Sequence, residues 1–253
     1  MENKMIVLYR MKILYFLFIV ASVFCLSNCA EKKNNFDLDQ YNEHVLFIGN
    51  SYTYRNRGVD QHLLELYRNA GDSSVYCTRA AKGKYHLCTH WKDSLTKTLF
   101  KQHKWNSVVL QEYSSGPLRE ESEFKSYAKK WAAKIRKHNP KTKIYLYATW
   151  GYKNSKGMTD SLYQSYLKIG KSINAEVIPV GLLWKSLEGK INLYDGDGAH
   201  PNRKGTFINA CLFYEVMSRK DVRKTPHTDK LLDKKTQRLL KAFVHNFVMK
   251  NKL

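Results

Sequence analysis

Hydrophobic residues follow two patterns that alternate along most of this chain. Short continuous apolar runs, such as Val-Leu-Phe-Ile-Gly at 45–49, are typical of buried parallel strands. Other segments, such as 59–70, repeat apolar residues at the spacing of one helix face. By these patterns the predicted strands are 45–49, 74–79, 107–111, 143–149 and 176–180, and the predicted helices are 59–70, 87–100, 120–138, 160–173, 203–218 and 236–249.

Five strands that alternate with helices predict one α/β domain over residues 44–253. The expected architecture has three layers, α/β/α, with helices on both faces of a five-stranded parallel sheet. No linker or internal repeat interrupts the alternation. In open parallel sheets, catalytic and binding residues collect in the loops at the carboxyl ends of the strands. The search for a functional site therefore starts in those loops.

The first 28 residues have the pattern of a secretory signal peptide. An apolar run over 13–26 follows three basic residues, and it is shorter than the roughly 20 residues that a membrane-spanning helix needs. Export from the cytoplasm is therefore expected. The three basic residues are Lys4, Arg10 and Lys12.

The apolar run ends in Leu-Ser-Asn-Cys at 26–29, which resembles the lipobox of bacterial lipoproteins. Asn28 departs from the small residue usual at that position. The resemblance implies cleavage before Cys29 and attachment of lipid to its thiol, with the polar segment 29–43 as a tether. We therefore predict a lipid-anchored, extracytoplasmic protein of the bacterial cell envelope. An ordinary secreted protein, or one anchored by an uncleaved signal, is the alternative.

The charge of the chain is strongly positive. It holds 43 Lys and Arg against 22 Asp and Glu, a formal net charge of +21. Such a balance favours nucleic acid, anionic lipid or acidic glycan as partners. Predicted export argues against nucleic acid, and the basic residues are spread along the chain. A solvated basic surface and an acidic glycan partner both stay open.

The cysteines suggest one disulfide and no metal site. Cys77 and Cys88 could pair in an oxidising compartment, whereas Cys211 lies on an apolar helical face and is expected to be a buried thiol. The sequence has no metal-ligand spacing, no phosphate-binding loop and no dinucleotide-binding glycine motif. We therefore predict no metal and no cofactor.

Two polar motifs lie at predicted loop positions. The first strand runs into Gly-Asn-Ser-Tyr-Thr at 49–53, which places the Ser51 hydroxyl just beyond the strand. Before the last core helix, Asp197 and His200 are separated by two residues, so the carboxylate can reach an imidazole nitrogen. Either motif alone also fits an ordinary turn. Together they supply the groups that activate a hydroxyl nucleophile, with Asp195 as a second candidate for the acid.

The order and spacing of these motifs resemble the sequence blocks of the SGNH (GDSL-like) hydrolases, over about residues 44–217. Three features also resemble a poorly characterised branch of that superfamily in secreted bacterial proteins: Gly-Asn-Ser-Tyr-Thr at 49–53, Leu-Gln-Glu at 110–112 and Ala-Thr-Trp at 148–150. The resemblance implies a flavodoxin-like fold. It also implies which residues carry the chemistry.

By this resemblance, Ser51 is the nucleophile, His200 its general base and Asp197 the residue that orients His200. The implied oxyanion hole combines the backbone N–H groups of Ser51 and Gly83. Where the family has Gly-x-Asn-Asp, this chain has Leu-Gln-Glu, so the side-chain amide of Gln111 is the expected third donor.

The resemblance implies an ester hydrolase that works through an acyl-serine intermediate and needs no cofactor. The expected substrate is an acyl ester, in the first place acetyl, on an extracellular glycan that is either neutral or acidic. A lipase or thioesterase of the same fold is one alternative. A glycan-binding lipoprotein with an inactive SGNH fold is another, although the presence of Ser51, Asp197 and His200 favours an enzyme.

Overall fold

A computed structural model describes residues 40–226 and 229–253. The predicted signal peptide, the predicted lipidation site Cys29 and most of the predicted tether lie outside these ranges. No helix within them is both long enough and apolar enough to cross a membrane.

The centre of the fold is one sheet of five parallel strands in the order β2-β1-β3-β4-β5. Successive residues of the first strand point to opposite faces: Val45 and Phe47 join one hydrophobic cluster, and Leu46 and Ile48 join another. Burial on both faces explains why the central strands are continuous apolar runs. The strands are β1 (Glu43–Gly49), β2 (Val75–Ala81), β3 (Ser107–Leu110), β4 (Lys143–Tyr147) and β5 (Glu176–Ile178).

Ten α-helices and one short 3₁₀ helix (Val222–Lys224) connect and cover the strands within the described ranges. Helices on one face contribute Leu63 and Phe207 to its core, and those on the other contribute Phe124 and Tyr166. The predicted three-layer, flavodoxin-like fold is thus confirmed. The helices are α1 (Ser51–Tyr54), α2 (Val59–Asn69), α3 (Leu87–Lys92), α4 (Ser94–Lys101), α5 (Gly116–Arg119), α6 (Glu121–His138), α7 (Met158–Ile173), α8 (Val180–Ser186), α9 (Arg203–Ser218) and α10 (Lys234–Asn251).

The single helix predicted over 87–100 is wrong, because the chain breaks at Asp93. This residue has an extended backbone (φ −69°, ψ 126°) between α3 and α4. Its carboxylate accepts a hydrogen bond from the backbone N–H of Thr96 at 2.7 Å and so caps the second helix. The apolar periodicity continues across the break, which hid the cap in the sequence.

The Cys77–Cys88 disulfide that the sequence left open is absent, and both thiols are free. Cys77 is buried in the core on one face of the sheet. Cys88 lies in α3, which packs through Leu87 into the core on the opposite face. The sheet therefore separates the two residues. Cys211 is a free buried thiol, as predicted.

Candidate active site

Ser51 begins α1 directly after β1, in a sharp turn that Asn50 holds in place. The Asn50 carbonyl accepts a hydrogen bond from Thr53 N at 2.9 Å, and its side-chain oxygen accepts one from Tyr52 N at 3.2 Å. The turn also needs glycine at position 49. A Cβ there would lie 2.4 Å from the Thr53 hydroxyl oxygen. These contacts place the Ser51 side chain at the carboxyl end of a buried strand.

The structure brings Ser51, His200 and Asp197 together in one chain of hydrogen bonds. Nε2 of His200 lies 2.9 Å from Ser51 Oγ, and Nδ1 lies 2.5 Å from Asp197 Oδ2. With Nδ1 protonated toward the carboxylate, Nε2 is free to accept the serine proton. This is the arrangement in which an imidazole acts as general base on a hydroxyl.

Asp197 is fixed by the backbone of its own loop. Its Oδ1 accepts hydrogen bonds from the N–H groups of Ala199 and His200, each at 2.9 Å. Gly198 permits this tight loop through a left-handed φ of 67°. Partial burial acts to raise the pKa of Asp197, but the two N–H groups and the His200 imidazole lower it well below its ordinary value. Asp197 is therefore ionised and oriented toward His200.

Asp195, the other candidate for the acid, has different partners. Its Oδ2 accepts a hydrogen bond from Arg55 Nη1 at 2.9 Å, and its Oδ1 accepts one from Gly196 N at 2.9 Å. The backbone N–H of Asp195 donates to the His200 carbonyl at 2.8 Å. Asp195 thus closes the loop 195–200, called the catalytic loop below, and ties it to the chain just after α1 through Arg55.

A buried aromatic stack supports the catalytic loop, a contact that the sequence pattern did not reveal. Trp150 donates its indole N–H to the Ala199 carbonyl at 2.9 Å. Its ring is stacked between Tyr52, with centroids 4.6 Å apart, and Trp184, with centroids 3.8 Å apart. Tyr52 in turn meets His200 edge to face at 5.5 Å. The stack fixes both the loop and the imidazole ring.

The loop that contains Gly83, residues 82–86, lies against the turn at residues 49–53. These two segments are called the Gly83 loop and the nucleophile turn below. On one side of Gly83, Lys82 N donates to the Gly49 carbonyl at 3.3 Å. On the other side, the Asn50 side-chain amide donates to the Tyr85 carbonyl at 3.0 Å. In the described part of the chain, neither Gly83 N–H nor Ser51 N–H has an acceptor. Both N–H groups are thus available to an acceptor, and their role in an oxyanion hole stays a prediction.

Gln111 uses its amide oxygen and one of its two amide N–H groups within the protein, so its role as third oxyanion donor stays a prediction. Its Oε1 accepts hydrogen bonds from Asn50 N at 2.9 Å and from the Thr53 hydroxyl at 3.0 Å. Its Nε2 donates to the Glu112 carbonyl at 2.5 Å, and the residue is only 1% exposed. Gln111 therefore holds the nucleophile turn against the end of β3.

Glu112 holds the C-terminal end of the Gly83 loop in place. This buried carboxylate accepts hydrogen bonds from Tyr113 N at 2.7 Å and from Leu87 N at 3.2 Å, and it lies 3.0 Å from His86 Nδ1. The hydrogen bond to Glu112 raises the pKa of His86, although partial burial opposes it. Two adjacent residues after β3 thus hold the two loops that carry Ser51 and Gly83.

Two side-chain clusters outside the triad each bring three possible metal ligands within 4.8 Å of one another: His86, Glu120 and Glu123, and Glu215, Asp221 and His245. In the first cluster His86 Nδ1 lies 3.3 Å from Glu120, and in the second His245 Nδ1 lies 2.6 Å from Glu215 and Arg223 pairs with Asp221. Neither cluster contains a triad residue.

No family model matches the chain, and no curated protein matches it by sequence. Solved structures do match. A DUF4886 family protein from Bacteroides uniformis is 17% identical, with a TM-score of 0.66 over 83% of this chain and 96% of that one. A putative SGNH hydrolase from Slackia heliotrinireducens is 22% identical, with a TM-score of 0.60 over 69% of this chain and 98% of that one.

A third match is an acetyl-xylooligosaccharide esterase from Geobacillus, 12% identical, with a TM-score of 0.53 over 71% of this chain and 94% of that one. At such low identities these matches establish the fold. The chain has the fold of the SGNH and GDSL-like hydrolases.

Proposed function

We propose that the protein is an extracytoplasmic serine esterase that hydrolyses acyl esters, in the first place acetyl esters, on a glycan. The observation that carries the proposal is the hydrogen-bonded chain from Ser51 through His200 to Asp197. A hydroxyl is a weak nucleophile until a base takes its proton, and this geometry supplies the base and its orienting carboxylate. The chemistry needs no cofactor.

In the first half-reaction, Ser51 Oγ attacks the ester carbonyl carbon while its proton passes to His200 Nε2. The carbonyl oxygen becomes an anion and accepts hydrogen bonds from the N–H groups of Ser51 and Gly83. Asp197 stabilises the imidazolium that forms. The intermediate then collapses, His200 returns the proton to the leaving oxygen, and the sugar hydroxyl departs from an acyl-Ser51.

In the second half-reaction, water replaces the sugar as the attacking group. His200 removes a proton from the water as it attacks the acyl carbon, and the same two N–H groups receive the oxyanion. Collapse expels Ser51 Oγ, which regains its proton from His200. The carboxylic acid leaves, and the enzyme returns to its starting state.

Two observations support a glycan ester as the substrate. The triad lies at an open surface, with 25% of the His200 side chain and 45% of the Asp197 side chain exposed, so a bulky substrate can approach. One structural neighbour is an acetyl-xylooligosaccharide esterase. The extracytoplasmic location is proposed from the signal-like segment and the Leu-Ser-Asn-Cys motif at 26–29.

The proposal is tested by ester hydrolysis and by covalent labelling of the nucleophile. Wild type should release acetate from acetylated oligosaccharides and should cleave p-nitrophenyl acetate. A fluorophosphonate should label Ser51, identified by peptide mass. Ser51→Ala should lose both signals, whereas Ser122→Ala, at an exposed serine of α6, should keep them. A folded wild-type protein that cleaves no ester and is not labelled would instead be a binding protein.

A further inference from the structure

A groove of about 780 Å³ lies beside the catalytic loop. Its walls come from the loop that leads into α7 and from the segment that follows α8. Four lysines and only two carboxylates line it, which leaves an excess of positive charge. These residues are Lys153, Lys156, Lys185 and Lys190, with Asp160 and Glu188.

We call this cavity the lysine groove. Its four lysines differ in whether a carboxylate neutralises their charge. Lys185 Nζ is 2.6 Å from one Asp160 oxygen and 2.8 Å from the other. Lys190 Nζ donates to the Ser186 carbonyl at 3.2 Å, which leaves its charge uncompensated. Among the described residues, Lys153 and Lys156 have no carboxylate partner. These two ammonium groups are therefore available to an anion.

The lysine groove is directly connected to the catalytic loop. The backbone N–H of Lys153 donates to the Gly198 carbonyl at 2.8 Å, one residue after Asp197. On the opposite wall, Tyr194 pairs through a backbone bridge with Pro201, one residue after His200. A polymeric substrate with its ester at Ser51 can therefore continue into the lysine groove.

The remaining lining includes one partly exposed aromatic ring that suits a sugar. Tyr194 packs at 4.9 Å and 86° on Trp184, which is only 3% exposed, so Tyr194 is the accessible aromatic surface of the groove. Aromatic faces and edges pack against the C–H groups of sugars, whereas ammonium groups pair with their acidic substituents. We propose that the lysine groove binds an acidic sugar residue of the glycan whose acyl ester is cleaved at Ser51. This inference rests on the proposed function and narrows its substrate to acidic glycans.

A carboxylate or a sulfate could supply the negative charge, so the binding test uses both. Ser51→Ala protein is titrated by calorimetry with an oligogalacturonate, a sulfated galactan oligosaccharide and a neutral cello-oligosaccharide of the same length. One acidic probe should bind at least about tenfold more tightly than the neutral one, and high salt should remove the difference. The probe that binds identifies the acidic group. Equal binding of all three, or none, overturns the inference.

Substitution of the two free lysines locates the site. Lys153→Gln with Lys156→Gln should weaken binding of the acidic probe by at least about tenfold. The matched control is Lys129→Gln with Lys137→Gln, which removes the same charge from exposed positions of α6. Melting temperatures show that both proteins fold. If the control pair weakens binding as much as the groove pair, net charge alone is responsible and the lysine groove is not the site.

Rates of ester hydrolysis distinguish a failure of this inference from a failure of the proposed function. Wild type should hydrolyse an O-acetylated oligomer of the acidic type with a higher kcat/KM than an O-acetylated cello-oligosaccharide. Equal kcat/KM values would retain the esterase and overturn the lysine groove as a specificity site. If neither oligomer nor p-nitrophenyl acetate is cleaved, the proposed function fails, and the binding test then decides whether the groove takes acidic glycans.

Discussion

The side-chain oxygen of Gln111 accepts a hydrogen bond from the backbone N–H of Asn50 at 2.9 Å, one residue before Ser51, the proposed nucleophile. The two residues are 61 positions apart in the sequence. This bond joins the end of β3 to the turn that presents the serine hydroxyl. It makes Gln111 a positioning residue.

Replacing Gln111 with Leu should lower stability more than catalysis. The buried Asn50 N–H would lose its acceptor, which should reduce the free energy of unfolding by about 1–3 kcal/mol. An oxyanion donor would instead cost roughly 10²–10³-fold in kcat. Urea unfolding, together with kcat per active site titrated with a covalent inhibitor, measures both effects. Unchanged stability with a hundredfold loss of kcat would place Gln111 in the oxyanion hole.

The triad assignment makes a different prediction for each aspartate. Ser51→Ala and His200→Ala should each lower kcat by about 10³-fold or more, and the double variant should be little worse, because the pair acts as a unit. Asp197→Ala should also reduce kcat strongly. Asp195→Ala removes an exposed ion pair with Arg55 and a hydrogen bond from Gly196 N but no contact with the imidazole, so its kcat should fall far less than that of Asp197→Ala. Steady-state kinetics on short esters measures these losses of kcat. A larger loss in Asp195→Ala than in Asp197→Ala would make Asp195 the acid.

Trp150→Phe should reduce catalysis through the loop that it supports. Its indole N–H would no longer hold the Ala199 carbonyl, so His200 should lose its alignment and kcat should fall roughly 10- to 100-fold. Trp105→Phe is the matched control, since this buried indole also donates to a backbone carbonyl but far from the triad in the fold. Both variants should lose stability, and only the first should lose kcat. Equal kcat in the two would assign Trp150 to the core alone.

Acid should destabilise the protein through buried histidines. Burial lowers the pKa of His90, whose Nε2 lies 2.7 Å from the Gly49 carbonyl, and it also lowers the pKa of His62. A folded pKa below the unfolded value gives stability that is present above about pH 6.5 and is lost as the pH falls toward the folded pKa. His86, with a raised pKa, changes stability in the opposite direction.

The test is urea unfolding of wild type and His90→Gln between about pH 5 and pH 8, with the amide retaining a donor for the Gly49 carbonyl. The variant should lose less stability on acidification than wild type does. If the two pH profiles are parallel, His90 does not contribute to the acid sensitivity.

The predicted lipid anchor depends on Cys29, in the Leu-Ser-Asn-Cys motif. Cys29→Ala should release the protein from the membrane fraction or leave its signal uncleaved, because the thiol that is predicted to carry the lipid is gone. Metabolic labelling with a fatty acid and cell fractionation provide the measurement. A Cys25→Ala variant, altered within the apolar run, is the control and should remain anchored. A Cys29→Ala protein that matures and fractionates like wild type would rule out the lipoprotein prediction.

The sequence was sufficient to predict the sheet because its strands follow a local pattern, whereas the contact between Ser51 and His200, 149 positions apart, was expected only through the family resemblance. Continuous apolar runs mark strands that are buried on both faces, and the carboxyl end of β1 fixes where Ser51 lies. Asp197 and His200 are close in the chain, so their contact needs only a short loop. The resemblance to a known family then assigned their roles.

The supporting residues could not be predicted in the same way. An amide such as Gln111 can donate or accept, and only its contact with Asn50 shows that it accepts. The support from Trp150 likewise depends on Ala199, 49 positions away. The helix break at Asp93 was hidden because the apolar spacing continues through it. The roles of Gln111 and Trp150 depend on tertiary contacts. The break at Asp93 depends on a local helix cap that overrides the helical spacing of the apolar residues.

The adjacent positions of Gln111 and Glu112 have a consequence for how this scaffold can diversify. The nucleophile turn and the Gly83 loop are both fastened to one dipeptide at the end of β3, so their relative geometry is set within the rigid centre of the sheet. The walls of the lysine groove come from separate segments on the other side of the catalytic loop. Those segments can be exchanged or recharged to accept a different polymer while the reacting atoms keep their alignment. Under the proposed function, substrate choice and bond cleavage therefore depend on different parts of the fold, and redesign of this protein should begin with the groove walls.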